Sequence, residues 1–437
     1  NSELSKNLKD LGFSLIRLKT GTPPRIHKDS IDYSLCELDT QNNDKICFSN
    51  EENNFLALNQ QVNCWLTHTT NKTHEIIQDN LMQSAMYGGA VKGVGPRYCP
   101  SIEDKIVRFH TKERHQIFIE PESRFLDTMY LAGISTSLPE NIQDEILKSI
   151  PSLKNAKVIK YAYAIEYDAI NPNQLLHSLE SKKIENLFFA GQVNGTSGYE
   201  EAAAQGLVAG INAANKIKKI PPFIPSRTSS YIGVLIDDIV TKEITDPYRL
   251  LTSRCEYRLL IRNDNADDRL IHDGFMNGLI SKKRYLSYLD NLKKFEANIE
   301  ILKKTNAKSI TNFKSDFRKS NMTIYELLKT QKYNYQSIEK YLILDELDEN
   351  WKNKINISIK YEGYINAQKK IINNYEKLWK IKLLNIIDYN EIPNISLEAI
   401  DKLNKIHPEN LGQISKIGGI SINDMINIKL FIDKGNK

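Results

Sequence analysis

The chain is 437 residues long, with 41% hydrophobic and 26% charged residues and a formal net charge of +5. That length allows two or three domains with a sizeable core. Its apolar runs are all shorter than the roughly 18 residues that cross a bilayer, and the amino end lacks a basic-then-apolar signal pattern. We therefore expect a cytoplasmic protein without a membrane segment.

The charge is unevenly distributed along the chain. Residues 221–437 contain 35 lysines and arginines against 28 acidic residues, whereas residues 1–220 contain 24 against 26. A polyanionic partner of the second half fits this excess, although an ordinary soluble domain also carries such a charge.

The cysteines exclude a disulfide framework and a zinc knuckle, because their number is odd and none forms a C-x-x-C pair. They are Cys36, Cys47, Cys64, Cys99 and Cys255. The eight histidines show no metal-ligand spacing either. We expect free thiols in a reducing compartment and no metal site.

The chain opens in a predicted helix with Leu4, Leu8, Leu11 and Leu15 at helical spacing. The Gly-Thr-Pro-Pro turn of LKTGTPPR is predicted to end this helix. Because the first residue is Asn1 and the helical pattern has already begun, we interpret the chain as a fragment that lacks its amino-terminal portion.

Short strands and loops are predicted for residues 26–70, followed by a helix over residues 72–86. Residues 115–123 and 157–170 are rich in β-branched and aromatic side chains, which predicts strands. A short helix opened by Pro139 is predicted between them.

The clearest local unit spans residues 187–218. The apolar run LFFA predicts a strand, the loop GQVNGTSGY follows, and a helix rich in small residues starts near Glu200. The glycines permit a close approach to a ligand, and a helix start favours an anionic or strongly polar cofactor group. A packed, glycine-rich connection has the same pattern, so both interpretations remain open.

Beyond the segment PPFIP the composition shifts to Lys, Ile, Asn and Leu with helical periodicity, which predicts a helical second half. Arg254, Arg258 and Arg262 recur every four residues, as on one face of a helix. They are candidates for RNA phosphate binding or for ion pairs with acidic neighbours such as Glu256 and Asp264.

Cys99 lies in GVGPRYCPSIEDK, a basic and conformationally restricted loop. Arg97 favours a thiolate at this position, and Pro100 stiffens the loop. An inert buried thiol is the ordinary alternative for a cysteine in a reducing compartment.

Several of these stretches together resemble one family. They are LKTGTPPR, GPRYCPSIEDKIVRF, GISTSLP, AIEYDAI, LFFAGQVNGTSGYEEAAAQGLVAGINAA, TSRCEYRLLIRNDNADDRL and GQISKIGGIS. From about Leu4 to its carboxyl end the chain closely resembles the tRNA uridine 5-carboxymethylaminomethyl modification enzymes, the MnmG or GidA family.

The resemblance implies an α/β fold with a Rossmann-like FAD-binding domain, partial because its first βαβ unit is missing. It implies an inserted NAD-binding segment and an all-α carboxyl-terminal domain. The FAD-binding remainder covers residues 1–25 and 111–220, the insertion residues 26–110, and the helical partner- or tRNA-binding domain residues 221–437. The family's G-x-G-x-x-G and a second, upstream cysteine have no counterpart here, so we expect the isolated chain to bind FAD weakly or not at all and to be inactive.

The implied function is addition of an aminomethyl or carboxymethylaminomethyl group to C5 of the tRNA wobble uridine, U34. The family uses FAD, NADH and 5,10-methylenetetrahydrofolate as the carbon donor. It works as a homodimer with the GTPase MnmE on the tRNA anticodon loop, in the cytoplasm.

The resemblance makes Cys99 catalytic, because a thiolate that adds to C6 of uracil makes C5 nucleophilic. It implies flavin contacts first from Gln192, whose amide both donates and accepts. The other implied flavin-binding residues are Gly191, Asn194, Gly195 and Gly198. The implied nicotinamide-binding residues are Gly95, Pro96, Arg97, Tyr98, Cys99, Pro100, Ser101, Ile102, Glu103, Asp104, Lys105, Ile106, Val107, Arg108 and Phe109, of which Arg97 and Lys105 offset the phosphates.

Three alternative functions remain. Folate- and FAD-dependent tRNA uridine methyltransferases share the glycine loop, but they lack a long helical extension such as residues 231–437. A non-catalytic RNA- or GTPase-binding adaptor on a flavoprotein scaffold is the second alternative. A flavin oxidoreductase of a small metabolite is the third, and it leaves the basic helical half unexplained.

Overall fold

The computed structural model describes residues 2–39, 56–89, 93–95, 100–242, 244–310, 321–383, 388–415 and 417–435. The chain divides into two compact units. The sheet unit comprises Asn1–Asn171, Gln192–Ser197 and Ile244–Arg249, and the helical unit comprises Pro172–Gly191, Gly198–Glu243 and Leu250–Lys437.

The sheet unit contains two antiparallel sheets with short helices. Its helices are α1 (Ser2–Asp10), α2 (Asn71–Asp79), α3 (Ile102–Arg108) and α4 (Glu140–Lys148). Its strands are β1 (Leu15–Thr22), β2 (Arg25–His27), β3 (Glu37–Leu38), β4 (Trp65–His68), β5 (Gln116–Pro121), β6 (Thr128–Ala132), β7 (Val158–Lys160) and β8 (Tyr163–Ile170).

The larger sheet has the order β3-β4-β5-β6-β2-β7, and β1 pairs with β8 in a separate two-stranded sheet. Alternate side chains of β5, including Ile117 and Ile119, are fully buried. They share a core with Leu131 of β6, Ile77 of α2 and Ile146 of α4. The apolar faces of the sheet and of two amphipathic helices therefore bury each other.

The predicted first helix was wrong beyond residue 10. Gly12 adopts a φ of +85°, which favours glycine, and it turns the chain out of α1. The segment from Leu15 then pairs along its length with β8, from Leu15 opposite Ile170 to Thr22 opposite Tyr163. Tertiary strand pairing thus outweighs the local helical spacing of the leucines.

Other predicted elements of this unit are confirmed with altered bounds. The stretch 115–123 forms β5, and the stretch 157–170 forms β7 and β8. Pro139 directly precedes α4, as predicted. The helix predicted over residues 72–86 ends earlier, because α2 stops at Asp79 and a short 3-10 helix follows.

The helical unit confirms the predicted helical second half. Its helices are α5 (Tyr199–Ile217), α6 (Tyr231–Thr241), α7 (Ala266–Met276), α8 (Lys282–Lys304), α9 (Ile324–Leu328), α10 (Tyr335–Ile338), α11 (Glu349–Lys360), α12 (Glu362–Trp379), α13 (Leu397–Ile406), α14 (Leu411–Ile414) and α15 (Ile422–Gly435). Side chains such as Ser281, Asp348 and Ser396 cap them by accepting a backbone N–H. None of the described helices is both long enough and apolar enough to span a bilayer.

Two sequence expectations in the helical unit were wrong. The run LFFA is not a regular strand, since Phe188 makes a single bridge with Glu180. The arginines do not share a helix face either, because residues 255–265 form turns and bends. Nε of Arg262 instead lies 2.8 Å from Oδ1 of Asp264. This contact agrees with the alternative prediction that the arginines pair with acidic neighbours rather than with RNA phosphates.

Candidate active site

The predicted flavin loop forms a tight turn in the sheet unit. Gly195 has a φ of +76°, and its amide donates to the carbonyl of Gln192 at 2.9 Å. The amide of Tyr248 donates to the Gly195 carbonyl at 2.8 Å, and the amide of Ser197 donates to the Tyr248 carbonyl at 3.2 Å. The loop is therefore fixed by backbone pairing with residues 244–249.

The described side chains of this loop present polar groups. Gln192 is exposed, whereas Asn194 is fully buried. Burial raises the pKa of Tyr167 on β8 to about 12, and the adjacent Gln192 side chain opposes this rise. The buried hydroxyl of Ser197 makes no hydrogen bond within the described residues. Such a donor and acceptor set fits the polar edge of a flavin ring.

The start of α5 disfavours an anionic group. The carboxylate of Glu201 folds back over Gly198, in the space that a Cβ would occupy there. Its Oε1 accepts the Leu250 amide at 2.8 Å. Because this carboxyl group already fills the space in front of the helix start, a neutral polar group is favoured there over a phosphate. A Cβ added at Gly206 or Gly210 of α5 would have no atom of the described residues within 4 Å.

The predicted nicotinamide stretch is described only in part. Pro96, Arg97, Tyr98 and Cys99 lie outside the described residues, and Pro100 is half-buried. The hydroxyl of Ser101 caps α3 by accepting the Asp104 amide at 3.2 Å.

The later residues of the stretch serve different roles. Ile102 and Ile106 are buried in the core of the sheet unit, whereas Val107 and Phe109 are about half exposed. The ammonium of Lys105 donates to the Gly133 carbonyl at 2.7 Å. Lys105 is therefore engaged by the fold, and its predicted phosphate contact has to compete with this bond.

A cavity of about 560 Å³ with a mixed polar and apolar lining lies in the sheet unit. Its lining residues are Lys19, Gly21, Met86, Tyr87, Val94, Gly95, Ser101, Asp104, Arg108, Ser135, Thr245 and Asp246. Four of them come from the predicted nicotinamide stretch, so the structure brings part of that stretch together around one space. This volume is typical of a small-molecule site.

Two described residues close in sequence to the undescribed stretch 96–99 line this cavity. Gly95 lies directly before this stretch, and Ser101 lies two residues after it. Gly93 packs so closely against the backbone of Leu18 that a Cβ would lie 2.8 Å from the Leu18 carbonyl carbon. Val94 and Lys19 also pair through their backbones at 2.9 Å, so β1 anchors the entry to the segment.

Tyr87 and Asp104 form a hydrogen-bonded pair on the cavity wall. The Tyr87 hydroxyl donates to Oδ1 of Asp104 at 2.9 Å. Burial and this bond raise the pKa of Tyr87 to about 12, so it is a donor at neutral pH. Sequence reasoning missed Tyr87, because nothing in its local pattern distinguishes it from a packing residue.

The buried carboxylate of Glu103 supports the wall behind this pair. Its Oε1 accepts from the hydroxyls of Ser84 at 3.0 Å and Thr136 at 2.9 Å, and from the Ser137 amide at 3.1 Å. Glu103 is completely buried. Among the nicotinamide-stretch residues it therefore ties α3 to two neighbouring segments rather than facing a ligand.

The three described cysteines are poor nucleophiles. Burial raises the pKa of Cys36, Cys64 and Cys255, so each thiol is protonated at neutral pH. Cys47 and Cys99 lie outside the described residues.

Comparison with known proteins gives matches along the chain. Residues 1–221 match the model of "Glucose inhibited division protein A". Residues 282–369 and 372–437 match the models of the MnmG/GidA C-terminal helical domain and C-terminal helical bundle.

Curated relatives and solved structures agree with these matches. The chain is 55% identical to the tRNA uridine 5-carboxymethylaminomethyl modification enzyme MnmG of Malacoplasma penetrans, covering 99% of this chain and 71% of the relative. It is 53% identical to that of Mycoplasmoides gallisepticum, with the same coverage. A crystal structure of Aquifex aeolicus GidA is 41% identical, with a TM-score of 0.85 over 98% of this chain and 69% of that chain.

Proposed function

Because the chain belongs to the MnmG/GidA family of FAD-dependent tRNA-modifying enzymes, we propose that it modifies C5 of the wobble uridine in tRNA. The group added is aminomethyl or carboxymethylaminomethyl. The substrate is the anticodon loop, whose bases are splayed into a pocket more easily than paired ones.

The proposal extends to cofactors, partners and location. The proposed cofactors are FAD, NADH and 5,10-methylenetetrahydrofolate, the last as the carbon donor. The protein is proposed to act as a homodimer with the GTPase MnmE in the cytoplasm. The proposal also keeps the sequence-based domains, with residues 26–110 as the NAD-binding insertion and residues 221–437 as the helical partner- or tRNA-binding domain. The resemblance of the long ordered motifs supports these assignments.

One structural observation carries the proposal. Residues 244–249 hold the glycine loop through Tyr248 and contribute Thr245 and Asp246 to the cavity. The same cavity is lined by Gly95 and Ser101, which bracket the Cys99 segment. The contact of the glycine loop with residues 244–249, and the position of Gly95 and Ser101 at the same cavity, support the proposal that the flavin loop and Cys99 serve one site.

The residues of this space have distinct proposed roles. Cys99 adds to C6 of uracil, and Lys19 and Arg108 supply positive charge for nucleic-acid or dinucleotide phosphates. Gln192, with Gly191, Asn194, Gly195 and Gly198, would hold the flavin edge. The bound flavin supplies the redox chemistry that links NADH to the transferred carbon.

The test is nucleoside analysis of tRNA from cells in which the gene has been deleted. We expect loss of the modified wobble uridine and its return with the wild-type gene. The variant C99S should not restore it, whereas C64S should, because Cys64 is a half-buried thiol with a raised pKa.

Other results point to the alternatives. Normal wobble uridine with loss of T-loop methylation indicates the methyltransferase. Restoration by C99S together with normal tRNA binding contradicts the catalytic assignment and supports the adaptor. A rate of NADH oxidation that does not change when tRNA is added, together with turnover of a small metabolite, indicates the oxidoreductase.

A further inference from the structure

A second cavity, of about 200 Å³, is lined only by residues of the helical unit. Its apolar wall includes Ile224, Pro225 and Trp379, and its polar wall includes His177, Arg227 and Asp237. Sites for drug-sized ligands usually have about 300 Å³ or more. This space therefore admits one ring system rather than a dinucleotide or a folate.

Trp379, the last residue of α12, is held in place by its neighbours. A Cβ added at Gly412 of α14 would lie 2.6 Å from both Cγ and Nε1 of Trp379, which places that Cβ over the pyrrole ring. The indole also meets the His177 ring edge to face, with the ring centroids 6.5 Å apart. The cavity therefore has a fixed aromatic wall, against which a flat ring can pack.

Arg227 uses all of its hydrogen-bond donors within the chain. Its Nη1 donates to Asp237 and Asp238 at 2.7 Å each. Its Nη2 donates to Glu256 at 3.1 Å and to the Arg254 carbonyl at 3.4 Å, and its Nε donates to Glu256 at 3.4 Å. A guanidinium has five N–H groups, so Arg227 offsets the charge of Asp237 but offers no donor to a ligand.

Asp237 keeps acceptor capacity at the cavity. Its nearly buried carboxylate accepts from Nη1 of Arg227 at 2.7 Å and from Nε2 of His177 at 3.1 Å. Burial raises the pKa of Asp237, but the His177 hydrogen bond and the Arg227 charge outweigh burial and lower this pKa overall. Because a carboxylate accepts about four hydrogen bonds, Asp237 can also accept from a ligand. Nε2 of His177 carries a proton towards this carboxylate, so Nδ1 of the neutral ring is an acceptor too.

We propose that this cavity binds a purine base with an amino group, such as adenine, whose amino group donates to Asp237 and whose ring packs against Trp379. The proposal is independent of the proposed function. Arg227 and Asp237 offset each other's charge, so a charged ligand would be buried without a partner, and a neutral one is favoured. Among neutral biological ring systems, amino-purines combine flat apolar faces with an N–H donor at the edge. The base can come from a free nucleoside or from an unpaired adenosine of RNA.

The experiment measures ligand binding to the full-length protein by isothermal titration calorimetry, with FAD already bound so that the flavin site is filled. The probes are adenosine and purine riboside, which differ only in the amino group. We expect adenosine to bind about tenfold or more tightly than purine riboside, because the latter lacks the hydrogen bond to the Asp237 carboxylate. This comparison needs no variant, so it tests the proposal on the unaltered fold.

A pair of matched substitutions locates the bound adenosine. Ile224 lines the cavity and is about half exposed, so I224W places a larger ring at the cavity without burying it in the core. We expect I224W to weaken adenosine binding by about tenfold or more, because the ring competes for the same space. Ile343 is an exposed isoleucine of the same unit that does not line the cavity, and I343W should leave the affinity unchanged.

A second set of probes distinguishes the two sources of the base. These are a single-stranded uridine oligomer with one adenosine and the same oligomer without it. If the adenosine oligomer binds more tightly than both the uridine oligomer and free adenosine, and I224W removes this difference, RNA is the source. If the two oligomers bind alike while free adenosine binds and is weakened by I224W, the free nucleoside is the ligand.

Three outcomes contradict the proposal. The first is the absence of adenosine binding, or equal affinities for adenosine and purine riboside. The second is adenosine binding that I224W leaves intact, which places the ligand elsewhere in the protein. The third is equal weakening by I224W and I343W. None of these outcomes bears on the modification of wobble uridine, so the proposed function is tested separately.

Discussion

The amide of Tyr248 donates to the carbonyl of Gly195 at 2.8 Å, although the two residues are 53 positions apart in the chain. This bond holds the glycine loop against residues 244–249. Thr245 and Asp246 of that segment line the cavity of the sheet unit. The cavity wall and the loop therefore depend on one another's backbone geometry.

Substitution of Gly195 tests this dependence. Its φ of +76° is unfavourable for a side chain, and an added Cβ would lie 3.4 Å from Ile244. We expect G195A to lower the free energy of unfolding by about 1–2 kcal/mol, measured by urea denaturation. The control G206A has open space on α5 and should be neutral or stabilising by up to about 1 kcal/mol. Equal effects of the two substitutions would contradict this view of the loop.

A buried ion cluster should dominate the stability of the helical unit. Arg227 is 3% exposed and donates to Asp237 and Asp238 at 2.7 Å each. Removing the guanidinium leaves two buried carboxylates without this cation, so R227M should cost about 3–5 kcal/mol by chemical denaturation. The exposed pair of Lys294 with Asp290 on α8 serves as the control, and K294M should leave the free energy of unfolding nearly unchanged. A small loss in R227M would show that the cluster relaxes or hydrates.

Asp424 should make the carboxyl-terminal helices acid-sensitive. Its carboxylate accepts from the Ser421 hydroxyl at 2.6 Å and from the Ser396 amide at 2.8 Å, and the Ser421 bond is the main reason that its pKa is lowered. Because the pKa of Asp424 is lower in the folded protein, its carboxylate stabilises the fold at pH values above the ordinary Asp pKa of about 3.9. This stabilisation is lost as the pH falls through the pKa of the folded state. The stability difference between wild type and D424N should therefore be largest near neutral pH and shrink below about pH 3.9. A difference independent of pH would contradict this role.

The described helices and strands could be predicted from the sequence where interactions between residues close in the chain determine them. Helix α5 was predictable because its small and apolar residues repeat at helical spacing after a glycine loop. Leu15 was wrongly predicted to be helical because its spacing from Leu4, Leu8 and Leu11 is a local pattern. Its strand pairing with Ile170 depends on a distant part of the chain. The contributions of Tyr87 and Asp246 to the cavity were not predictable either, because distant segments create that space.

Thiol labelling provides a test of selective reactivity. The raised pKa values of Cys36, Cys64 and Cys255 predict slow alkylation at pH 7 that accelerates towards pH 9. Cys99, beside Arg97, should react fastest at pH 7 in iodoacetamide labelling followed by peptide mass mapping. Equal rates for all cysteines at pH 7 would contradict an activated thiolate.

The most direct test of the proposed chemistry is trapping on tRNA that carries 5-fluorouridine at the wobble position. Fluorine at C5 cannot leave as a proton does, so an adduct between Cys99 and C6 should persist. We predict that mass mapping finds the RNA on the tryptic peptide of residues 98–105, and that C99S forms no adduct while C64S does. An adduct on another cysteine, or continued modification of normal tRNA by C99S, would contradict the central claim.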